Sequence, residues 1–203
     1  YLENHLQFLN SQNEWYFDDT NKYLYVRLLQ DKHPDTVDIR AKVQTYTFNI
    51  IKNDVKIFDV NFFGTTLKGS KSNIDINNCN FLYPSCYAHM LNQINRGTDI
   101  QSSTEYKEFE TNTRISNSEN CLIKNCVFKY IDGSGLDITG GNNTLEDCYL
   151  SYIDKTVCDL YSVMTTVRFG GNNNIIRHNT IHKTGASSTI SPGNNSIVEY
   201  NNV

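Results

Sequence analysis

The sequence predicts an all-β chain, built as a stack of short three-strand coils. Three observations predict it: a surplus of asparagine, the absence of helical periodicity, and an internal repeat. The chain has 203 residues, of which 27 are Asn against 14 Asp, 11 Gly and only 3 Pro. Asn tolerates left-handed backbone and favours turns over helix interiors, so it is expected to turn this chain where Gly and Pro do not. The aliphatic residues lean to Ile and Val, which suit strands. Only part of 86–96 carries a trace of amphipathic helical spacing. A hydrophobic content of 38% and a mean hydropathy of -0.50 exclude a disordered chain. No apolar run is long enough for a membrane-spanning helix. A net charge of -4 argues against nucleic acid as a partner.

The repeat sets the order of elements. Its anchors are Ile57, Ile76, Ile123, Leu145, Ile176 and Val198. Three residues before them stand Asp54, Asn73, Asn120, Asn142, Asn173 and Asn195; three after stand Val60, Cys79, Cys126, Cys148, Asn179 and Asn201. Two further on come Phe62, Phe81, Phe128, Leu150, Ile181 and Val203. The anchors are 19, 47, 22, 31 and 22 residues apart, so the coil is about 22 residues, with inserts at 82–119 and 155–163. Coils of this kind stack about 4.8 Å apart and bury a continuous interior that no single coil could bury.

The units NCLIKNCVFKYIDGSGLDITGG (120–141) and NNNIIRHNTIHKTGASSTISPG (172–193) resemble coils of the right-handed parallel β-helix, or pectin-lyase-like, superfamily. The resemblance covers residues 43–203. It implies that Asn179 and Asn201 stack as an internal asparagine ladder, with Val60, Cys79, Cys126 and Cys148 holding that column in earlier coils. The segment NEWYFDDTNKYLYVRL (13–28) is similar to the strand-rich lead-in of some β-helix glycoside hydrolases and uncharacterised relatives. Residues 1–42 are therefore expected to form a β-rich cap that protects the first coil edge. Alternation over 23–27 supports a strand there, and Asp18-Asp19-Thr20-Asn21 a hairpin turn. The coils are expected to continue beyond Val203.

Six cysteines could form three disulfides, but Cys79, Cys126 and Cys148 share one interior column, which reads as buried free thiols. Cys86 and Cys158, one in each insert, are the best candidates for a bridge. No Cys/His spacing suggests a metal, no cofactor is evident, and no acidic cluster supports calcium.

Family resemblance implies catalytic groups that point outward from one sheet beside long loops. Both inserts leave the same corner of the coil, and insertions on one side often mark a binding face. The next strand reads LDI (136–138), VRF (167–169) and TIS (189–191). With Leu136, Ile138, Val167 and Phe169 inward, alternation sends Asp137, Arg168 and Ile190 outward, Asp137 beside Arg168. That pair reads as a surface ion pair or as an anchor for an acidic or hydroxyl-rich sugar. Asp132 and Asp154 align one coil apart, as turn residues or as the carboxylate pair of a glycosidase. Lys155, Tyr161 and His182 fall near the same corner as candidate substrate contacts or bases. The expected function is action on polysaccharide outside the cell or at its surface. The lead-in favours a glycoside hydrolase over a lyase, with catalytic candidates Asp137, Asp154, Asp132 and Arg168. The alternative is a non-catalytic, adhesin-like solenoid that binds sugar.

Overall fold

A computed structural model describes residues 5–42, 44, 46–84, 112–131, 133–154, 165–185 and 188–203. The chain divides into two compact units, residues 1–41 and 42–203. In the first, β1 (Trp15–Asp18) and β2 (Tyr23–Val26) form an antiparallel hairpin, with Trp15 opposite Val26 and Asp18 opposite Tyr23. Asp18 closes the turn, accepting the backbone N–H groups of Thr20 and Asn21 at 3.0 Å. Short 3-10 turns at Leu6–Phe8, Leu29–Asp31 and Pro34–Thr36 complete this unit.

The second unit is a stack of three parallel sheets. The first sheet holds β4 (Lys56–Phe58), β7 (Asp75–Asn77), β10 (Leu122–Lys124), β13 (Thr144–Glu146), β16 (Ile175–Arg177) and β19 (Ile197–Glu199). The second holds β5 (Asn61–Phe63), β8 (Asn80–Leu82), β11 (Val127–Ile131), β14 (Tyr149–Ile153) and β17 (Thr180–Thr184). The third holds β3 (Tyr46–Ile50), β6 (Thr66–Gly69), β9 (Thr113–Ile115), β12 (Leu136–Thr139), β15 (Thr165–Gly170) and β18 (Ser188–Ser191). Each circuit of the chain contributes one strand to each sheet, so like positions lie in register. Ile57, Ile76, Ile123, Leu145, Ile176 and Val198 form one such column. Beside it Phe62, Phe81 and Phe128 stack face to face, with centroids 4.4 and 4.6 Å apart. The stack passes into Leu150 and Ile181 in the next coils.

Asparagine turns the chain for a conformational reason. Asp54, Asn73, Asn120, Asn142, Asn173 and Asn195 all have φ between 49 and 61°. A second left-handed column runs through Asp59, Asn78, Asn125, Asp147, His178 and Tyr200. Asn and Asp visit this region at low cost. A third column does not use them: after Gly64 come Tyr83, Tyr130, Tyr152 and Lys183, at φ 53 to 60°. Left-handed backbone costs an ordinary residue about 1–2 kcal/mol, whereas an aromatic stack returns about 0.5–1.5 kcal/mol per pair. Tyr83 stacks on Tyr130 and Tyr130 on Tyr152, at 4.9 and 5.2 Å. Phe63 packs edge-on to Tyr83 at 5.6 Å and Lys183 Nζ lies 4.6 Å over the Tyr152 ring, so these contacts together offset much of the cost of the turns.

Two internal ladders satisfy the corners. In the one expected from the sequence, Asn201 Oδ1 accepts from Asn179 N at 3.0 Å, and Asn179 Oδ1 from Cys148 N at 2.9 Å. The column continues through sulfur, with Cys148 Sγ accepting from Cys126 N at 3.4 Å. The thiols also donate as the amides do. Cys148 Sγ bonds the carbonyls of Glu146 and Ile123, as Asn201 Nδ2 bonds those of Glu199 and Ile176. A second ladder, not foreseen, lies at the corner between the third and first sheets. There Asn143 Oδ1 accepts from Cys121 N at 2.9 Å and Asn174 Oδ1 from Asn143 N at 3.0 Å. Cys79, Cys121, Cys126 and Cys148 are free and buried. Burial holds the Cys148 thiol well above its ordinary range. Cys86 and Cys158 lie outside the described residues.

Candidate functional site

Strand alternation in β12 sends Leu136 and Ile138 inward and Asp137 outward, yet Asp137 is only 3% exposed. Two arginines from adjacent coils cover it. Arg168, its register partner on β15, donates from Nε to Oδ1 at 3.0 Å and from Nη2 to Oδ2 at 2.5 Å. Arg114, its partner on β9, brings Nε to within 3.3 Å of Oδ2. The two-pronged contact suits the planar guanidinium, which a lysine could not replace.

The same outward column runs Asn49, Lys68, Arg114, Asp137, Arg168 and Ser191. It carries three cations and one carboxylate. Lys68 Nζ rests 4.9 Å above the Tyr46 ring. Ser191, not the expected Ile190, follows Arg168: Ile190 pairs with Val167 and packs against the core. The TIS strand is in register one residue earlier than the sequence spacing implied.

The first sheet supplies an internal comparison. There Glu146 is held between Lys124 Nζ, at 2.8 Å from Oε1, and Arg177 Nη2, at 2.8 Å from Oε2. The Lys124 and Arg177 contacts hold its carboxyl below the usual carboxylate range. That column runs Asn77, Lys124, Glu146, Arg177 and Glu199, two cations against two carboxylates. A carboxylate between two cations is therefore a device this solenoid uses to join coils. What distinguishes the third sheet is its surplus of positive charge on one line, in a chain of net charge -4.

The remaining candidates are spread. Asp154 is buried at the corner after β14, where its N–H donates to Ile131 O at 2.7 Å. Gly185 of the next coil lies hard against it: a Cβ there would stand 1.7 Å from Asp154 O. His182 is on the outer face of the second sheet, hydrogen-bonded through Nε2 to the Tyr149 hydroxyl. Asp132, Lys155 and Tyr161 lie outside the described residues. The structure thus brings Asp137 and Arg168 together and adds Arg114 and Lys68, which the sequence reading missed. Arg114 lay in the span assigned to the first insert, yet Thr113-Arg114-Ile115 repeats the alternation of Leu136-Asp137-Ile138, a usable signal.

The flanks of both inserts lie between the second and third sheets. One falls between β8 and β9, the other between β14 and β15. Among the described residues no group of three or more His, Cys, Asp or Glu could hold a metal ion, and no helix is long and apolar enough to cross a membrane. No protein family, curated protein or solved structure matched the chain.

Proposed function

We propose that this solenoid, read as right-handed and pectin-lyase-like, binds an acidic polysaccharide along the outer face of its third sheet. One observation carries the reading: the Lys68–Arg114–Asp137–Arg168 column has two more positive than negative charges, where the equivalent first-sheet column is balanced. Asp137 orients Arg168 through two hydrogen bonds and lies 3.3 Å from Arg114 Nε, and guanidiniums suit the planar carboxylates of uronic acids. Binding is better supported than cleavage. A glycosidase needs a second carboxylate working with the first, whereas Asp137 is buried between two guanidiniums. A polysaccharide partner would place the protein outside the cell or at its surface.

The test is affinity electrophoresis through gels containing acidic or neutral polysaccharides. Retardation by acidic gels alone, weakening as salt rises and at least tenfold weaker in Arg114→Gln/Arg168→Gln, is the expected result. Equal retardation of the double variant would overturn the reading. Incubation with the same polymers, followed by ultraviolet absorbance of unsaturated products and a reducing-end assay, reports any cleavage.

A further inference from the structure

A row of aromatic side chains crosses the coils on the outside of the second sheet. Phe63, Tyr83, Tyr130 and Tyr152 stand one per coil, with successive ring centroids 5.6, 4.9 and 5.2 Å apart. Lys183 takes the same place in the next coil. The row is exposed: 47% at Phe63, 50% at Tyr83 and 42% at Tyr130. Contiguous apolar surface of this kind marks a place where another molecule docks.

Its electrostatic setting is one-sided. No strand of the second sheet contains Asp or Glu, whereas the first sheet has Asp75, Glu146 and Glu199 and the third has Asp137. The two lysines of the second sheet lie over tyrosine rings, Lys129 Nζ at 4.8 Å from Tyr149 and Lys183 Nζ at 4.6 Å from Tyr152. Neither meets a carboxylate among the described residues. A partner that brings its own carboxylates supplies the missing counter-charge.

The geometry selects the partner. Both faces of Tyr130 are covered by its neighbours, so its rim is what it exposes. That removes the open ring faces on which nucleic-acid bases would stack. A ring rim is the positive end of the aromatic quadrupole and suits carbonyl oxygens. A polyproline II segment offers such oxygens, because it makes no internal hydrogen bonds and leaves its backbone solvated. Its pitch also fits. Three residues of polyproline II advance about 9.3 Å and two coils about 9.6 Å, so residues i and i+3 meet alternate aromatics in the same way. The four coil steps from Phe63 to Lys183 give about 19 Å, room for about six residues. We propose that Phe63, Tyr83, Tyr130 and Tyr152 bind an acidic, proline-rich protein segment in the polyproline II conformation, its carboxylates towards Lys129 and Lys183. Such a segment is pre-formed, which keeps the ordering cost of binding low. The row goes beyond the polysaccharide reading, lies on another sheet and does not depend on the arginine column.

The test is fluorescence anisotropy of the full chain with labelled nine-residue peptides. The probes are three repeats of Pro-Pro-Glu, of Pro-Pro-Lys and of Ala-Ala-Glu, with an oligothymidine as the nucleic-acid probe. The Pro-Pro-Glu peptide should bind saturably, and at least tenfold more tightly than either other peptide. Tyr83→Asn/Tyr130→Asn, whose new residues suit the left-handed turn, should weaken that binding at least tenfold. Phe63→Ser lies outside the turn and should also weaken it; it serves if the double variant misfolds. Lys183→Glu should narrow the preference for Pro-Pro-Glu over Pro-Pro-Lys. Arg114→Gln/Arg168→Gln should bind the peptide as the native chain does, so the two sites fail separately. The row is refuted by absence of saturable Pro-Pro-Glu binding, or by equal binding of Ala-Ala-Glu, which would leave charge alone. It is equally refuted by undiminished binding in the Phe63 and tyrosine variants, or by tyrosine-dependent binding of the oligothymidine alone.

Discussion

The sulfur of Cys148 accepts the backbone N–H of Cys126 across one coil, in the place where Asn179 Oδ1 accepts the N–H of Cys148 itself. A thiol and a carboxamide are thus interchangeable at this corner. Cys148→Asn should melt within a few degrees of the native chain. Cys148→Ala leaves the Cys126 N–H without its acceptor and should cost about 1–3 kcal/mol in urea denaturation.

The second ladder gives a harsher case. Asn143 is fully buried, accepts from Cys121 N and donates to Ser118 O at 3.0 Å. Asn143→Ala strips partners from both groups and should cost more than Cys148→Ala in the same assay. Equal melting temperatures would show that water replaces the amide.

Gly171 has φ 94°, and a Cβ there would stand 2.0 Å from Gly140 O. That contact is backbone and cannot swing aside. Gly171→Ala should destabilise by well over about 1 kcal/mol, read as a loss of melting temperature.

Glu146 predicts the acid limb of stability. Its folded carboxyl titrates below the ordinary range because Lys124 and Arg177 favour the charged form. Its contribution is therefore complete above the unfolded value and is lost as pH falls through the folded one. Melting curves between neutral and acid pH should show Glu146→Gln converging on the native chain as acidity rises. A constant gap at all pH values would contradict this.

Asp137→Asn keeps the shape of the clamp and removes its charge. With the Asp137 charge withdrawn from both guanidiniums, it should cost about 1–3 kcal/mol in urea denaturation. The variant should also be retarded less by acidic polysaccharide, although its surface is more positive. Stronger retardation would mean that charge alone, without oriented arginines, does the binding.

The sequence carried the fold because the fold repeats. Residues three before and three after each aliphatic anchor mark a left-handed turn and a ladder, and both are spaced along the chain as in space. Asn143 and Asn174 are inconspicuous in the sequence because each follows another Asn that the turn already explains. The site was less legible. Arg114 stands 23 residues before Asp137, the length of a plain coil, yet it falls inside the span 82–119 that reads as insert, and the long insert separates it instead from Lys68. Ile190 reads as outward for another reason, a one-residue shift in register that no side-chain pattern announces. The strain in Tyr83, Tyr130 and Tyr152 is a property of backbone angles, and a tyrosine reads the same in a strand as in a turn.

The neighbouring interior columns share one property. Phe62, Phe81 and Phe128 lie in register with Leu150 and Ile181, and Val60, Cys79, Cys126, Cys148 and Asn179 stand two positions before them. In a solenoid each coil touches only the coil above and the coil below. A substitution in either column is therefore felt by two neighbours and passed no further along the stack.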